Sequence, residues 1–147
     1  ALPVDAARAD FGAEYRWCVL AGLRIVGEDA ASPPTAAALP QDAAFAVQVL
    51  QLLVRAAKAG ATWVEDDLQT VVPHICTAVT HRVPLVRLGC MQALLLLVEN
   101  SFGHLLPYKK SIAAATQRAV EDKRREVRLM GVAALNAWQC GGTQAAN

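Results

Sequence analysis

Aromatic residues and clustered cysteines are both scarce in this chain. Phe, Trp and Tyr make up 5% of its 147 residues, and none of its cysteines forms a CxxC pair. Few aromatics disfavour a nucleic-acid surface that works by base stacking, and scattered cysteines disfavour a zinc ribbon or a disulfide framework. We therefore predict that the cysteines are small buried hydrophobic residues in a reducing compartment. They are Cys18, Cys76, Cys90 and Cys140.

Long apolar runs and targeting segments are also lacking. The longest uninterrupted apolar run covers residues 93–98, far short of the roughly 20 residues that a membrane-spanning helix needs. No charged segment followed by an apolar stretch and a cleavage site marks a signal peptide. We expect a soluble domain without membrane contact, and the abrupt start ALPV indicates a fragment of a longer chain.

No group of residues has the spacing of a catalytic or metal site. The three histidines, His74, His81 and His104, have no ligand spacing with one another or with a cysteine. A glycine-rich phosphate loop, a nucleophile elbow and an HExxH motif are all missing from the sequence. We predict a protein that is not an enzyme, with no catalytic residue, no metal ligand and no cofactor.

What the sequence does contain is helix-forming composition. Hydrophobic residues make up 54% of the chain, much of it in alanine and leucine, which favour helices, and β-branched alternation is rare. The periodicity and the turn residues predict an all-α domain of six helices. Their approximate ranges are 4–26, 43–59, 63–80, 85–100, 105–120 and 126–140.

Turn and cap signals set these predicted boundaries. The segment 27–35 with its glycine and prolines ends the first helix, and Gly60 closes the second. Thr62 and Glu65 have the spacing of a capping box, and Pro73 predicts a bend in the third helix. Gly141 and Gly142 are predicted to stop the last helix, which leaves a frayed tail.

A Val-Arg pair begins two of the apolar runs. VRLGCMQALLLL starts at Val86 and VRLMGVAALNAW starts at Val127. Aligning the runs pairs Cys90 with Gly131 and Ala93 with Ala134, small residues that let each helix approach its partner closely.

The arginines of the two runs are aligned as well, Arg87 with Arg128. Each arginine can bond the carbonyls or a carboxylate at the end of the preceding helix, and Asp122 is the predicted acceptor for Arg128.

A proline-bearing helix, a short turn and then Val-Arg, small, small, Leu resembles the HEAT repeat. The resemblance implies an α-solenoid of about three antiparallel helix pairs, in which each pair covers the apolar face of its neighbour. We divide the single domain 1–147 into a helix hairpin 4–59, a repeat 62–100 and a C-terminal repeat 105–140. His81 occupies the position of the family's aspartate in the first repeat, so an Asp-Arg ladder is not expected there.

The C-terminal repeat also resembles that of a particular HEAT family. LLPYK at 105–109, EDKRREVR at 121–128 and Trp138 are similar to the last repeat of the MMS nineteen family. That family is the scaffold of the cytosolic iron-sulfur cluster targeting complex. The resemblance implies a cytoplasmic and nuclear scaffold that docks the cluster-carrier and WD-repeat propeller subunits and serves apoprotein clients of DNA metabolism and DNA repair.

Positive charge is concentrated in the second half of the chain. Residues 81–147 contain nine Lys or Arg and four Asp or Glu, whereas residues 1–80 contain five and nine. Such a cluster is either a solvated turn or a contact for an acidic partner. Our predicted partner-binding residues are Tyr108, Lys109, Lys110, Lys123, Arg124 and Arg125, and the predicted structural residues are Asp122, Arg87, Arg128 and Trp138.

We expect Trp138 to be largely buried against the penultimate helix, beside Val127, Val132 and Leu135. Two other functions stay open. A generic HEAT or TOG-like module would bind another protein such as tubulin, although TOG domains normally need more helix pairs. Direct nucleic-acid binding is disfavoured, because the overall charge of +1 is not strongly basic.

Overall fold

The computed structural model describes residues 12–31 and 40–145, and the regular structure in these ranges is entirely helical. The predicted all-α class is therefore confirmed. The described helices are α1 (Ala13–Ala31), α2 (Pro40–Lys58), α3 (Thr62–Asp66), α4 (Leu68–Ala78), α5 (Pro84–Leu105), α6 (Lys109–Val120) and α7 (Arg125–Ala145), with a 3-10 turn at Leu106–Tyr108. The predicted start of the first helix, residues 32–35 of the predicted helix-ending segment and the last two residues lie outside the described residues.

The main helices pack in two layers. One layer contains α1, α4 and α6, and the other contains α2, α5 and α7. Within each layer consecutive helices contact one another, and across the layers α1 packs on α2, α4 on α5 and α6 on α7. Each helix of a sequential pair therefore also contacts the corresponding helix of the next pair.

The centre of the core is α5, which contacts α2, α4 and α7. One window within 84–120 reaches a mean hydropathy of 1.3, so by length and composition this stretch could cross a membrane. The core helix of a soluble protein passes the same test; α5 packs against α2, α4 and α7, and 39% of the window is buried in the fold. Its fully buried side chains include Met91, Leu94, Leu97 and Leu105.

Two glycines that were predicted to end helices instead lie inside them. α1 continues past Gly27 to Ala31, and α7 continues past Gly141 to Ala145. A Cβ at Gly27 would lie 3.1 Å from His74 Nδ1, and one at Gly141 would lie 2.6 Å from Phe102 Cδ2. These glycines allow close contact with a neighbouring helix. The predicted stop at Gly141 was therefore wrong, whereas α1 passes Gly27 but ends at Ala31, inside the predicted segment 27–35.

Gly60 does end α2 as predicted. Its φ is +72°, the left-handed conformation that glycine adopts without a Cβ clash. The Ala61 N–H bonds the carbonyl of Ala56 at 3.0 Å, which closes the last turn of α2.

The third predicted helix is interrupted at Asp67 and not at Pro73. Asp67 has φ −105° and ψ 15°, between α3 and α4, whereas Pro73 lies inside α4. Arg16 from α1 donates to Asp67 Oδ1 at 2.8 Å. This tertiary contact stabilises the interruption between α3 and α4, which no local sequence signal predicted.

The predicted capping box is also wrong. Thr62 is the first residue of α3, its N-cap is Ala61, and no side chain caps the helix. Glu65 instead accepts a hydrogen bond from Ser101 Oγ at 3.2 Å. Ser101 has non-helical φ −137° and ψ 32°, so α5 is kinked there.

The kink in α5 is followed by the residue that contacts Trp138. The Trp138 ring packs on Phe102 with 4.9 Å between the ring centroids. Trp138 is only partly buried, and Val132 is 41% exposed. The prediction of a largely buried ring against the penultimate helix is corrected to a partly buried ring whose aromatic partner lies on α5.

Candidate protein interface at the turn edge

Two turns, residues 79–83 and 121–124, form a polar surface that we call the turn edge. The first turn is tied to the C-terminal end of α1. His81 Nε2 lies 2.6 Å from Asp29 Oδ2, and Arg82 Nη2 donates to Asp29 Oδ1 at 3.2 Å. His81 is buried, and its Nδ1 accepts the Val83 N–H at 3.1 Å. The imidazole therefore donates Nε2–H to Asp29, and its two hydrogen bonds connect α1 to the turn.

Arg87 joins the first turn to the second. Its Nη1 donates to the carbonyls of His81 at 2.9 Å and Arg82 at 3.1 Å. Its Nε and Nη2 donate to Asp122 Oδ2 at 2.7 Å and Oδ1 at 3.1 Å. The planar guanidinium matches the carboxylate with two parallel bonds, so one side chain fixes the distance between the turns.

Arg128 binds its own turn in the same way. Its Nη1 donates to the carbonyls of Asp122 at 2.8 Å and Lys123 at 3.0 Å. The predicted carbonyl contact is therefore confirmed for Arg128, whereas the Asp122 carboxylate binds Arg87 of the preceding pair. The Arg87–Asp122 pair therefore links two successive helix pairs, while His81, at the position of the family's aspartate, bonds Asp29 instead.

The charge of Asp122 is stabilised by these contacts. Its side chain is 9% exposed and that of Arg87 is 15% exposed. Burial alone would raise the pKa of Asp122, but hydrogen bonds from Arg87 and from the Arg124 N–H, at 2.9 Å for the latter, lower the pKa below its ordinary value of 3.8. Asp122 is thus ionised at neutral pH and holds the turn in a fixed shape.

A groove of about 720 Å³ lies between the two turns. Its lining has five Lys or Arg side chains and two carboxylates, an excess of three positive charges when His81 is neutral. Arg82 and Arg87 are paired with Asp29 and Asp122. The charged lining residues are Arg82, Arg87, Arg118, Glu121, Asp122, Lys123 and Arg124.

The remaining cations of the groove are available to a partner. Arg118, Lys123 and Arg124 are exposed, and within the described residues their side chains form no ion pair. They lie beside the rigid Arg87–Asp122 pair. This arrangement can bind carboxylates without a large loss of backbone freedom.

The structure divides the predicted binding residues into two groups. Lys123 and Arg124 line the groove, and Arg125 is exposed at the first position of α7. Lys109 and Lys110 are exposed at the start of α6, and Tyr108 precedes them partly buried. The length of α6 puts its two ends about 18 Å apart at 1.5 Å per residue, so these residues do not line the groove.

Three residues at the turn edge were not predicted from the sequence: Arg118, Arg82 and Asp29. Arg118 lies in the last turn of α6, three residues before the turn begins, and its position near a helix end was a usable signal. Asp29 could not be assigned, because its partners are 52 and 53 residues further along the chain.

Within residues 12–31 and 40–145, no group of three or more His, Cys, Asp or Glu could hold a metal ion. No protein-family model, curated protein or solved structure matches the chain.

Proposed function

We propose that this chain is a protein-binding module of stacked helix pairs that recognises an acidic partner through the turn edge. The two-layer contacts support the solenoid part of the proposal, because each pair packs on the next in both layers. The observation that carries the binding part is the groove, where Arg118, Lys123 and Arg124 have no carboxylate partner among the described residues and lie beside the Arg87–Asp122 ion pair.

The finer proposal names the partner. The resemblance of residues 105–138 to the last repeat of the MMS nineteen family supports an acidic patch on the cluster-carrier subunit of the iron-sulfur targeting complex. The module would then be a cytoplasmic and nuclear scaffold that also meets the WD-repeat propeller subunit and apoproteins of DNA repair.

Charge reversal of the turn tests the proposal. Lys123→Glu, Arg124→Glu and Arg125→Glu together should leave the helical circular dichroism and the melting temperature nearly unchanged, because exposed charges contribute little to stability. Binding to the purified carrier subunit should weaken at low salt by about tenfold or more and become less sensitive to salt.

Lys109→Glu with Lys110→Glu is the matched control at the other end of α6. If the control weakens binding and the triple variant does not, the partner docks at the start of α6 and the turn is an ordinary solvated loop. If the unmodified chain does not bind the carrier subunit, the iron-sulfur proposal is wrong. A pull-down from cytosol would then test for another acidic partner, such as tubulin. Mass spectrometry would identify the proteins that bind the parent chain but not the triple variant.

A further inference from the structure

A second groove lies between α2 and α5, in the layer that these helices share with α7. It has a volume of about 480 Å³. Its walls repeat at helical spacing, since the α2 residues are Val47, Leu50, Gln51, Val54, Arg55 and Lys58, and the α5 residues are Leu85, Leu88, Gly89 and Gln92. From Val47 to Lys58 the groove follows α2 for about 16 Å, roughly three helical turns.

The floor of this groove is apolar and closely packed. Leu50 is 1% exposed, and Val47, Val54 and Leu88 are partly buried. A Cβ at Gly89 would lie 3.0 Å from Leu50 Cδ1, so the glycine lets α5 approach α2 at this level. The floor is therefore built from side chains that already pack between the two helices.

The rim of the groove carries one large apolar residue and one sign of charge. Leu85 is 62% exposed at the start of α5. Arg55 and Lys58 are exposed in the last turn of α2, and among the described residues no carboxylate lines the groove. Within the described part of the chain neither cation forms a salt bridge.

We propose that this groove binds an amphipathic helix of a protein partner that presents apolar residues at i, i+3 or i+4, and i+7 and carries Asp or Glu near one end. Two roughly parallel helical walls with an apolar floor accept such a stripe. The two cations at one end select an acidic flank and disfavour a basic one. This site is separate from the turn edge, so its failure would leave the turn-edge proposal intact.

The test uses displayed peptides of about four helical turns, with leucine fixed at i, i+4 and i+7 and the other positions randomised. The library is selected on the intact chain. The best sequence is synthesised with a fluorescent label, and its Kd is measured by anisotropy. We expect selected sequences enriched in Asp and Glu at one end.

The variants localise the binding. Leu85→Glu with Gln92→Glu should raise the Kd by at least about tenfold, which corresponds to about 1.4 kcal/mol. The matched control is Leu129→Glu with Asn136→Glu on α7, where the leucine is 60% exposed and the spacing is the same. The control should bind like the parent, and both variants should keep the parent circular dichroism.

The charge variants test the acidic flank. Arg55→Glu with Lys58→Glu should raise the Kd about fivefold at low salt and by less at high salt, whereas Lys109→Glu with Lys110→Glu should not. Failure of any helical peptide to be enriched, enrichment of basic flanks, or equal binding by the Leu85→Glu, Gln92→Glu variant would overturn the proposal. A dimer of the chain that this same variant abolishes would overturn it as well, because the groove would then hold a second copy.

Discussion

Asp122 binds three arginines at the turn edge. Its carboxylate accepts from Arg87 and from the Arg124 N–H, while its carbonyl accepts from Arg128. Asp122→Asn keeps the shape but removes the charge opposite a guanidinium that is 15% exposed. We expect the free energy of unfolding at pH 7 to fall by about 1.5 to 3 kcal/mol, the range for a hydrogen bond to a charged group.

The pH dependence separates this role from a loss of packing. The folded-state pKa of Asp122 is lowered, so its carboxylate stabilises the fold above the ordinary value of 3.8, and that contribution is lost as the pH falls through the folded-state pKa. In urea titrations the parent and Asp122→Asn should therefore converge in stability at low pH. Glu121→Gln on the same turn, whose exposed side chain accepts a hydrogen bond from Gln117 Nε2, should change little. Parallel curves for the parent and Asp122→Asn at all pH values would contradict the assignment.

Gly131 and Gly103 are both helical glycines with opposite surroundings. A Cβ at Gly131 would lie 2.7 Å from Ala119 Cβ and 2.9 Å from the Ala119 carbonyl carbon, whereas a Cβ at Gly103 would meet nothing within 4 Å. Gly131→Ala should destabilise the fold by about 1 to 3 kcal/mol, because backbone atoms must move. Gly103→Ala should be neutral or stabilise by up to about 1 kcal/mol, since alanine favours helix. Chemical denaturation of the two variants tests this contrast, which fails if both shift in the same direction.

At the scale of the helices, the Phe102–Trp138 contact joins the kinked end of α5 to α7. The rings are tilted by 47° with centroids 4.9 Å apart. This separation lies within the range that attractive aromatic pairs adopt. A double-mutant cycle with Phe102→Leu and Trp138→Leu should give a coupling energy of about 0.5 to 1.5 kcal/mol. A control cycle combines Phe45→Leu with Trp138→Leu. Phe45 is 41% exposed on α2, and this cycle should give no coupling energy. Additive losses for the Phe102 cycle would show that the rings do not stabilise one another.

The sequence predicted the features of the helices that depend on local residues. The Val-Arg register correctly indicated the close approach at Gly131 and the binding of Arg128 to its own turn. The left-handed end at Gly60 was equally local.

The missed features depend on contacts between distant residues. Asp67 is held by Arg16, Glu65 by Ser101, and Gly141 faces Phe102. A glycine that allows close helix contact and one that ends a helix look alike in sequence, because both lack a Cβ and only the neighbour distinguishes them. For the same reason the sequence predicted Lys123 and Arg124 of the turn-edge groove. It did not predict the bond from Arg87 to Asp122 that joins the two turns.

At the scale of the whole molecule, polar contacts along one edge connect all the helix pairs. Asp29 of α1 binds the turn before α5, and Arg87 of α5 binds the turn before α7. The apolar core is continuous beneath them, with α5 in contact with helices of every pair. We therefore expect the described helices to unfold as one cooperative unit.

The cysteines report on this cooperativity, and they correct the prediction that all of them are buried. Cys18 and Cys140 are exposed, Cys76 is partly buried and Cys90 is buried in α5. Burial raises the pKa of Cys76 to about 11. Burial, with a smaller effect of the nearby Cys76, also raises the pKa of Cys90. Since the thiolate is the reactive form, both inner thiols are protected by exclusion of the reagent and by low ionisation.

Reaction with a chromogenic disulfide reagent near pH 8 should therefore show two fast thiols, an intermediate one and a slow one. The slow rate should follow global unfolding, because Cys90 is reached only when α5 separates from its neighbours. It should rise with urea in proportion to the population unfolded by circular dichroism. Cys18→Ser with Cys140→Ser should remove the fast phase and leave the slow phase unchanged. If Cys90 instead reacts much faster than that population allows, α5 opens locally and the helix pairs do not unfold as one unit.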